Sequence, residues 1–320
     1  MSDSPYRFAC VVLSSLLAAC GGSGENSRSA ADEFPPPNAN LPVDQPTEMP
    51  AYTEEQATVL QAINHARTRT GLTPLQRNPQ LDLAAQGHAH YVHLNGDAER
   101  HEQTPGKPGF TGARLLDRLI HHPGPVLGEV MGFHREPVQG LLSTIYHRIG
   151  LLSPGTTEVG IGIATYFSDV ISAQRPVTVI NYAQPANPKT HEAGFWVWPY
   201  DGASNLPVSY VEAPNPAPDL QTLGYAISVA VNPGQTISTQ TFTLNCAGVD
   251  VPSRLITSQS DAHGIIPANW VFLQPIAALP YNATCSASFQ GESPLMGRFH
   301  KTWGFATTQA SNNHIQPVLP

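Results

Sequence analysis

Helical spacing of apolar residues dominates the first part of the chain. A first helix is predicted from Thr53 to Thr70, because Thr53 is a favourable N-cap and Gly71 a favourable stop signal. A second helix, capped by Asn78, is predicted from Pro79 to about Asn95. The same periodicity predicts shorter helices over 114–120 and from Pro137 to about Thr144.

The spacing then shortens to the alternation that is typical of strands. Val159, Ile161 and Ile163 alternate with glycines, and the segment around 177–183 is expected to pair with them. Residues 185–218 are rich in proline and turn residues and are predicted to form a linker. Beyond them, short alternating segments separated by turns favour a β-sandwich; these segments are 225–231, 242–246, 270–272, 285–289 and 303–305.

Helices followed by strands indicate an α+β or layered fold for residues 53–184, and the pattern of 219–310 indicates a separate all-β unit. The chain of 320 residues is long enough for two such units. Its 12% of charged residues and its 31 prolines are typical of an exported, loop-rich protein. The net charge of −8 argues against nucleic acid as a partner.

The N-terminus carries a targeting pattern. Arg7 precedes an apolar run that is too short to span a bilayer and that ends in Leu-Ala-Ala-Cys. This run resembles a bacterial lipoprotein signal peptide over 1–20, which implies a lipid on Cys20; an ordinary secretory signal is the alternative. Residues 21–52, rich in Gly, Ser, Asn and Pro, are predicted to be a disordered tether.

If Cys10 is removed with the signal and Cys20 carries a lipid, Cys246 and Cys285 remain. Both lie on the apolar side of their alternating segments, so a disulfide inside the β-sandwich is expected in an oxidising compartment. Two buried free thiols are the alternative.

Four polar residues form the candidate site: His101, Glu129, Glu136 and His147. Neutral imidazoles can hold zinc or another divalent cation, with carboxylates orienting them, and His/Glu pairs can also act as general acid and base. A structural hydrogen-bond network in a passive cleft is the third interpretation. Eleven helical residues span about 16 Å, so Glu136 and His147 can share a site only if the helix ends near Thr144.

Several motifs in the first unit resemble the CAP superfamily, which comprises the cysteine-rich secretory, antigen-five and pathogenesis-related proteins. They are Asn64-His65-Ala66-Arg67, Asn78-Pro79-Gln80-Leu81, Gly128-Glu129, Tyr146-His147-Arg148 and Glu158-Val159-Gly160-Ile161-Gly162. The version here is similar to the small bacterial form. The terminal Trp303-Gly304-Phe305-Ala306-Thr307-Thr308 resembles, more loosely, a strand of bacterial immunoglobulin-like modules.

The resemblance implies an α-β-α sandwich with a cleft formed by two histidines and two glutamates, followed by an immunoglobulin-like β-sandwich. Carried over, the cleft residues are His101, Glu129, Glu136 and His147, with His101 and His147 as the metal ligands. Val130 departs from the family pattern, which has Asn after the first glutamate.

The resulting expectation is a lipid-anchored protein of the cell envelope, in the outer membrane of a Gram-negative host, that faces the periplasm or the exterior. Its cleft binds a small or lipidic ligand, with or without a divalent metal; an envelope polymer or another protein is a further candidate partner. The alternative is a metal-assisted hydrolase of peptide or envelope polymer. Neither Ser143 nor Ser153 lies in a nucleophile motif, so the residues leave open whether the protein is an enzyme.

Overall fold

The computed structural model describes residues 51–96, 100–120, 122–168, 171–185 and 193–310. The predicted signal peptide with Cys20, and nearly all of the predicted tether, lie outside the described residues, as does the 186–192 part of the predicted linker. Within the described ranges, no helix combines the length and the apolar character that a bilayer-spanning segment needs.

The described residues of the helical region, 51–185, form five helices in chain order. They are α1 Glu54–Thr70, α2 Pro79–Asn95, α3 Leu115–Arg118, α4 Pro137–Ser143 and α5 Ile145–Leu152. The predicted start of α1 is confirmed, because Thr53 and Gln56 form a reciprocal capping box. The predicted cap of α2 is confirmed as well, since the Asn78 side chain accepts from the amides of Gln80 and Leu81.

Four strands form the sheet of this region in the order β1-β3-β4-β2. Their bounds are β1 Gln76–Arg77, β2 Val126–Gly132, β3 Glu158–Ser168 and β4 Ala173–Ala183. The predicted pairing of the Val-Gly-Ile-Gly-Ile strand with 177–183 is confirmed as the antiparallel β3–β4 ladder. Buried residues of α1, α4 and α5 pack on one face of the sheet, and those of α2 pack on the other. This layering is the expected mixed α and β architecture.

The glycines of β3 let α2 approach the sheet closely. A Cβ at Gly160 would lie 2.0 Å from the backbone of Leu81, and one at Gly162 would lie 2.2 Å from the backbone of Ala85. Val159 and Ile161, which alternate with these glycines, are fully buried against the opposite layer. The alternation therefore reflects two unequal faces: one fills a core with side chains, the other admits a helix backbone.

The β region, residues 193–310, contains eleven strands. They are β5 Phe195–Trp198, β6 Ala203–Leu206, β7 Ser209–Tyr210, β8 Leu223–Gly224, β9 Ile227–Val231, β10 Ser238–Cys246, β11 Val249–Asp250, β12 Ser253–Thr257, β13 Trp270–Pro275, β14 Thr284–Ser293 and β15 Gly297–Thr307. The larger sheets have the orders β11-β10-β14-β15-β6 and β12-β13-β9-β5, and β7 pairs with β8. Side chains from both larger sheets share one core. The expected disulfide between Cys246 and Cys285 is present on β10 and β14.

The predicted linker differs from the structure in its described part. Residues 195–210 form β5, β6 and β7, and β5 and β6 extend the two larger sheets by pairing with β9 and β15. These strands are only two to four residues long and lie between proline-rich turns, so their alternation is too short to be recognised in the sequence. In addition, buried residues of α4 and α5 form one continuous apolar cluster with Trp270 and Phe272 of the β region. The two regions are therefore packed on a common core.

Candidate functional site

Three polar residues of the helical region meet beside α2. His101 Nδ1 lies 3.0 Å from Glu129 Oε1, and the buried Arg118 reaches both carboxylate oxygens at 3.0 and 2.9 Å. Arg118 also donates to the His101 carbonyl at 3.2 and 3.3 Å. An ionised carboxylate only accepts hydrogen bonds, so the Nδ1–H of His101 is the donor and its Nε2 is left for another partner. The arginine thus fixes both members of the His101–Glu129 pair.

The sheet and α2 hold this group in place. Glu129 lies on β2 directly across from Asn181 on β4. With its NH2 group towards the carboxylate, Asn181 donates to Glu129 Oε2 at 2.8 Å and accepts from the Ala85 amide at 3.1 Å. The buried His88 of α2 contacts the Arg100 carbonyl at 2.5 Å through Nε2. His88 is therefore the buried structural histidine that its place on the apolar face of α2 suggests.

Glu129 is ionised at neutral pH although its side chain is only 3% exposed. Burial alone raises the pKa of this carboxyl, but the hydrogen bond from His101 and the charge of Arg118 outweigh it. The net result is a pKa below the ordinary value of a glutamate.

The second histidine lies on α5, beyond a break in the helical path. Thr144 has extended backbone angles between α4 and α5, so the expected helix end near residue 144 is confirmed. His147 Nδ1 lies 2.8 Å from the Thr144 hydroxyl, which itself donates to the Leu141 carbonyl at 2.8 Å. A hydroxyl has one proton, so His147 is the donor of its bond to Thr144. Its Nε2 therefore carries the free lone pair.

His147 is partly buried, and burial lowers the pKa of its imidazole to about 4, with further lowering by the charges of His101 and Arg100. The ring is therefore neutral at pH 7. A neutral imidazole with a bare Nε2 can accept a hydrogen bond, remove a proton or bind a metal.

The carboxylate nearest to His147 comes from the β region. Glu212 Oε1 lies 3.7 Å from His147 Nδ1, and its two oxygens accept from the amides of Ile145 and Tyr146 at 2.8 and 2.7 Å. The Glu212 side chain is fully buried. Burial raises the pKa of this carboxyl to about 7 against the lowering effect of those backbone hydrogen bonds.

A small pocket of about 100 Å³ brings the two histidines to one space. His101 and His147 both line it, with Met131, Phe133 and Glu212 among the other walls. Glu129 is not part of this lining and contacts the pocket only indirectly, through its hydrogen bond with His101. The structure therefore brings together three of the four predicted site residues.

Glu136 lies elsewhere. It is exposed, precedes α4 without a side-chain capping bond, and lies at the edge of a second, larger groove. The break at Thr144 satisfies the geometric condition for a shared site. The glutamate that lies beside His147 is nevertheless Glu212 and not Glu136.

The larger groove has a volume of about 1240 Å³ and lies between α1, α4 and the β region. Val59, Val138 and Trp198 are among its apolar walls. His134 and Pro137 line both this groove and the imidazole pocket, so the two spaces adjoin.

The donor set of the pocket fits the predicted metal only in part. Each imidazole has its Nδ1 engaged and its Nε2 available, which is the arrangement that suits a metal-ligating histidine. The carboxylates do not complete a cage, because Glu129 is held by Arg118 and Glu212 by backbone amides. Within the described ranges, no group of three or more His, Cys, Asp or Glu residues could hold a metal ion. The pocket therefore offers two imidazole nitrogens, fewer than the three protein ligands of a typical catalytic zinc site, and the predicted metal stays a prediction.

Sequence reasoning missed Arg118, Thr144 and Glu212. Arg118 lies within the short predicted helix at 114–120 and outside every family motif, so the sequence gives no signal for its role. Glu212 lies between Val211 and Ala213 in the proline-rich stretch, and only the docking of the two regions brings it to His147.

Comparison with known proteins supports the family assignment of the helical region. Residues 60–182 match the sequence model of the family described as CAP, the cysteine-rich secretory protein family. No curated protein matches the chain. The matched segment contains His101, Glu129 and His147 but ends before Glu212, so one wall of the imidazole pocket lies outside the family segment.

Proposed function

We propose that this protein is a binding protein of the cell envelope, whose ligand is a small molecule with a long apolar part and a polar end. The observation that carries the proposal is the shared wall of His134 and Pro137 between the groove and the imidazole pocket. The proposal takes these two residues as the rim of an opening, so that one molecule lies with its apolar part in the groove and its polar end beside the histidines.

The size and walls of the groove support an apolar occupant. Pockets for small ligands typically have volumes of roughly 300–1,000 Å³, so a groove of about 1240 Å³ is large enough for a ligand of that class. Val59, Val138 and Leu142 form part of its wall from the helical region, and Trp198 and Leu206 form part from the β region.

The imidazoles support a polar end that forms hydrogen bonds. His134 Nε2 is buried and has no hydrogen-bond partner among the described residues. Burial, followed by the charge of Arg175, lowers the pKa of His134, so the ring is neutral at pH 7. A neutral ring at the junction can bond a hydroxyl or a carbonyl, and an unpaired buried nitrogen is costly until a ligand satisfies it.

The envelope location rests on the N-terminal pattern, which resembles a lipoprotein signal followed by a polar tether. The expected test is membrane partitioning after Cys20→Ser. Release of the protein into the soluble fraction supports the lipid anchor, and unchanged partitioning contradicts it.

A metal-assisted hydrolase is the second candidate, favoured by the two available Nε2 atoms. A bound divalent cation would be held by His101 and His147 and would supply an activated water. The hydroxyl of Ser143 is buried and donates to the Gln139 carbonyl at 2.7 Å, so it is not a candidate nucleophile. This candidate therefore depends on the metal, which would supply the nucleophile as bound water.

The groove is tested with a dansyl-labelled fatty acid as the probe and the purified protein. Ala62 is exposed and lines the groove, so Ala62→Trp fills it and is expected to weaken probe binding by at least about tenfold, or about 1.4 kcal/mol. The matched control is Ala57→Trp, an exposed alanine on the same helix that does not line the groove. Wild-type protein that fails to bind the probe, or equal losses in the two variants, would contradict the proposal.

The metal version has its own test. Calorimetric titration of Zn²⁺ is expected to give binding that is lost in the double variant His101→Ala/His147→Ala. Absence of heat with the wild type, or the same heat with the double variant, removes the metal from the proposal and leaves the apolar groove.

A further inference from the structure

The imidazole pocket is closed by residues of the β region. Val211, Glu212 and Ala213 follow β7 and line the pocket together with His101 and His147. These residues lie beyond the segment 60–182 that matches the family. The pocket is incomplete without them.

Glu212 acts first on the helix that carries His147. The first backbone amides of a helix have no intrahelical acceptor, and a side chain at the N-cap usually satisfies them. Thr144 is the N-cap residue of α5, yet its side chain makes no capping bond. Glu212 instead accepts from the amides of Ile145 and Tyr146 at 2.8 and 2.7 Å. A carboxylate at a helix N-terminus is also favoured by the helix dipole.

This external cap leaves Thr144 free for another role. Its hydroxyl donates to the Leu141 carbonyl and accepts from His147 Nδ1, each at 2.8 Å. Glu212 Oε1, 3.7 Å from the same Nδ1, further favours a proton on that nitrogen. The proton on Nδ1 leaves Nε2 as the bare nitrogen of the ring.

Two further residues hold α5 to the β region through three hydrogen bonds. Tyr146 donates to Asp261 at 2.6 Å, and the fully buried Arg148 donates to the Ala226 carbonyl at 2.9 Å and to Ser228 at 3.2 Å. The helix that carries His147 is therefore fixed on both sides of that residue by the β region.

We propose that Glu212 is the positioning residue of His147: by capping α5 from the β region, it frees Thr144 to hold the imidazole in the Nδ1–H tautomer with Nε2 available to the pocket. The imidazole pocket is thus a shared site of the two regions. This inference deepens the proposed function, because His147 is one of its ligand-facing groups, but its test requires no ligand.

Long-range ¹H–¹⁵N correlation spectra of the imidazole distinguish the two neutral tautomers. The wild type at about pH 8.5, above the pKa of about 7 that burial gives Glu212, is expected to show His147 protonated at Nδ1. Glu212→Gln keeps the shape but removes the charge and one acceptor, so Thr144 competes for the open amide and the Nδ1–H signal is expected to be lost or mixed with the Nε2–H form. Glu136→Gln is the matched control, because it makes the same chemical change in the glutamate that sequence reasoning placed at this site, and it is expected to leave the spectrum unchanged.

Variants of Thr144 test whether its hydroxyl holds the proton on His147 Nδ1. Thr144→Val is expected to abolish the Nδ1–H preference, whereas Thr144→Ser, which restores the hydroxyl, is expected to retain it. A Glu212→Gln protein that is less stable but keeps the wild-type His147 signal would show a purely structural role and overturn the proposal. If that variant does not fold, a wild-type spectrum with the proton on Nε2 is sufficient to overturn it. Failure of the fatty-acid probe to bind, with the tautomer result as expected, removes the proposed function and leaves this inference intact.

Discussion

Each of the two histidines that line the imidazole pocket belongs to a group that also contains a carboxylate and a buried arginine. The two groups, here called the His101 half and the His147 half, are built differently. In the first half, Arg118 binds Glu129 directly, and Glu129 binds His101. In the second half, the carboxylate holds α5 by its backbone, and the arginine beside it binds backbone carbonyls of both regions.

The difference separates two ways of fixing an imidazole. The His101 half is a closed ion network within the helical region, so its geometry depends on side chains that β2 and α3 supply. The His147 half depends on the docking of the β region onto α5. We therefore expect perturbation of the interface to affect His147 strongly and His101 weakly.

The largest expected effect is that of Arg148→Met. Arg148 is fully buried, donates to the carbonyls of Leu142 and Ala226, and lies 5.5 Å from the centre of the Tyr225 ring. Its removal leaves buried carbonyls without partners on both sides of the interface, so a loss of about 3–5 kcal/mol in the free energy of unfolding is expected. Urea denaturation measures it.

The matched control is Arg298→Met, because Arg298 is exposed and forms only a long contact with Glu292. That change is expected to cost less than about 0.5 kcal/mol. Equal effects of the two substitutions would mean that Arg148 does not hold the regions together, and the contrast between the halves would lose its basis.

The second prediction concerns pH, where two groups of the His147 half have opposite effects. Burial, with the charges of His101 and Arg100, lowers the pKa of His147 from 6.5 to about 4. As pH falls below 6.5 the unfolded chain takes up this proton first, so stability is lost. Burial raises the pKa of Glu212 from 4.5 to about 7. As pH falls below 7 the folded chain takes up this proton first, so stability is gained.

These two contributions nearly cancel in the wild type, and single variants separate them. The quantity compared is the change in the free energy of unfolding when the pH falls from 7 to 4.5. In Glu212→Gln this change is expected to be about 2–3 kcal/mol less favourable than in the wild type, and in His147→Gln more favourable by about as much. Urea denaturation at the two pH values gives both numbers. Parallel pH profiles for the two variants would contradict the opposite shifts.

The third prediction perturbs the other half. Arg118→Met removes both bonds to Glu129, while His101 and Asn181 still contact the carboxylate. A cost of about 2–3 kcal/mol is expected, since a hydrogen bond to a buried charge is lost. Burial then prevails, so the pKa of Glu129 rises, which a carboxyl-carbon NMR titration detects. The His147 spectrum is expected to stay unchanged; a change there would show that the two halves are coupled.

Much of the helical region could be predicted because its signals are local. Thr53 and Asn78 cap helices that begin directly after them, and the glycines of β3 alternate with residues that face the core. His101 and Glu129 could be paired because the family motifs place both within one segment. A cap, a strand or a motif is encoded by residues that are neighbours in sequence.

The His147 half could not be predicted in the same way. Its carboxylate is 65 residues further along the chain (212 − 147) and belongs to a stretch whose prolines indicate a linker. The fact that Thr144 does not cap α5 has no sequence signal either, because threonine is an ordinary N-cap residue. Only the shared core of the two regions determines which glutamate reaches His147.

The smallest expected effect is that of Glu136→Gln, and it tests the assignment that sequence reasoning makes most directly. Glu136 is exposed, makes no capping bond at α4 and does not line the imidazole pocket. A surface substitution of this kind is expected to change the free energy of unfolding by less than about 0.5 kcal/mol. The two histidines should keep their wild-type ¹⁵N signals, because neither contacts this carboxylate. A displaced His147 signal in Glu136→Gln, with none in Glu212→Gln, would reverse the roles of the two glutamates and confine the site to the helical region.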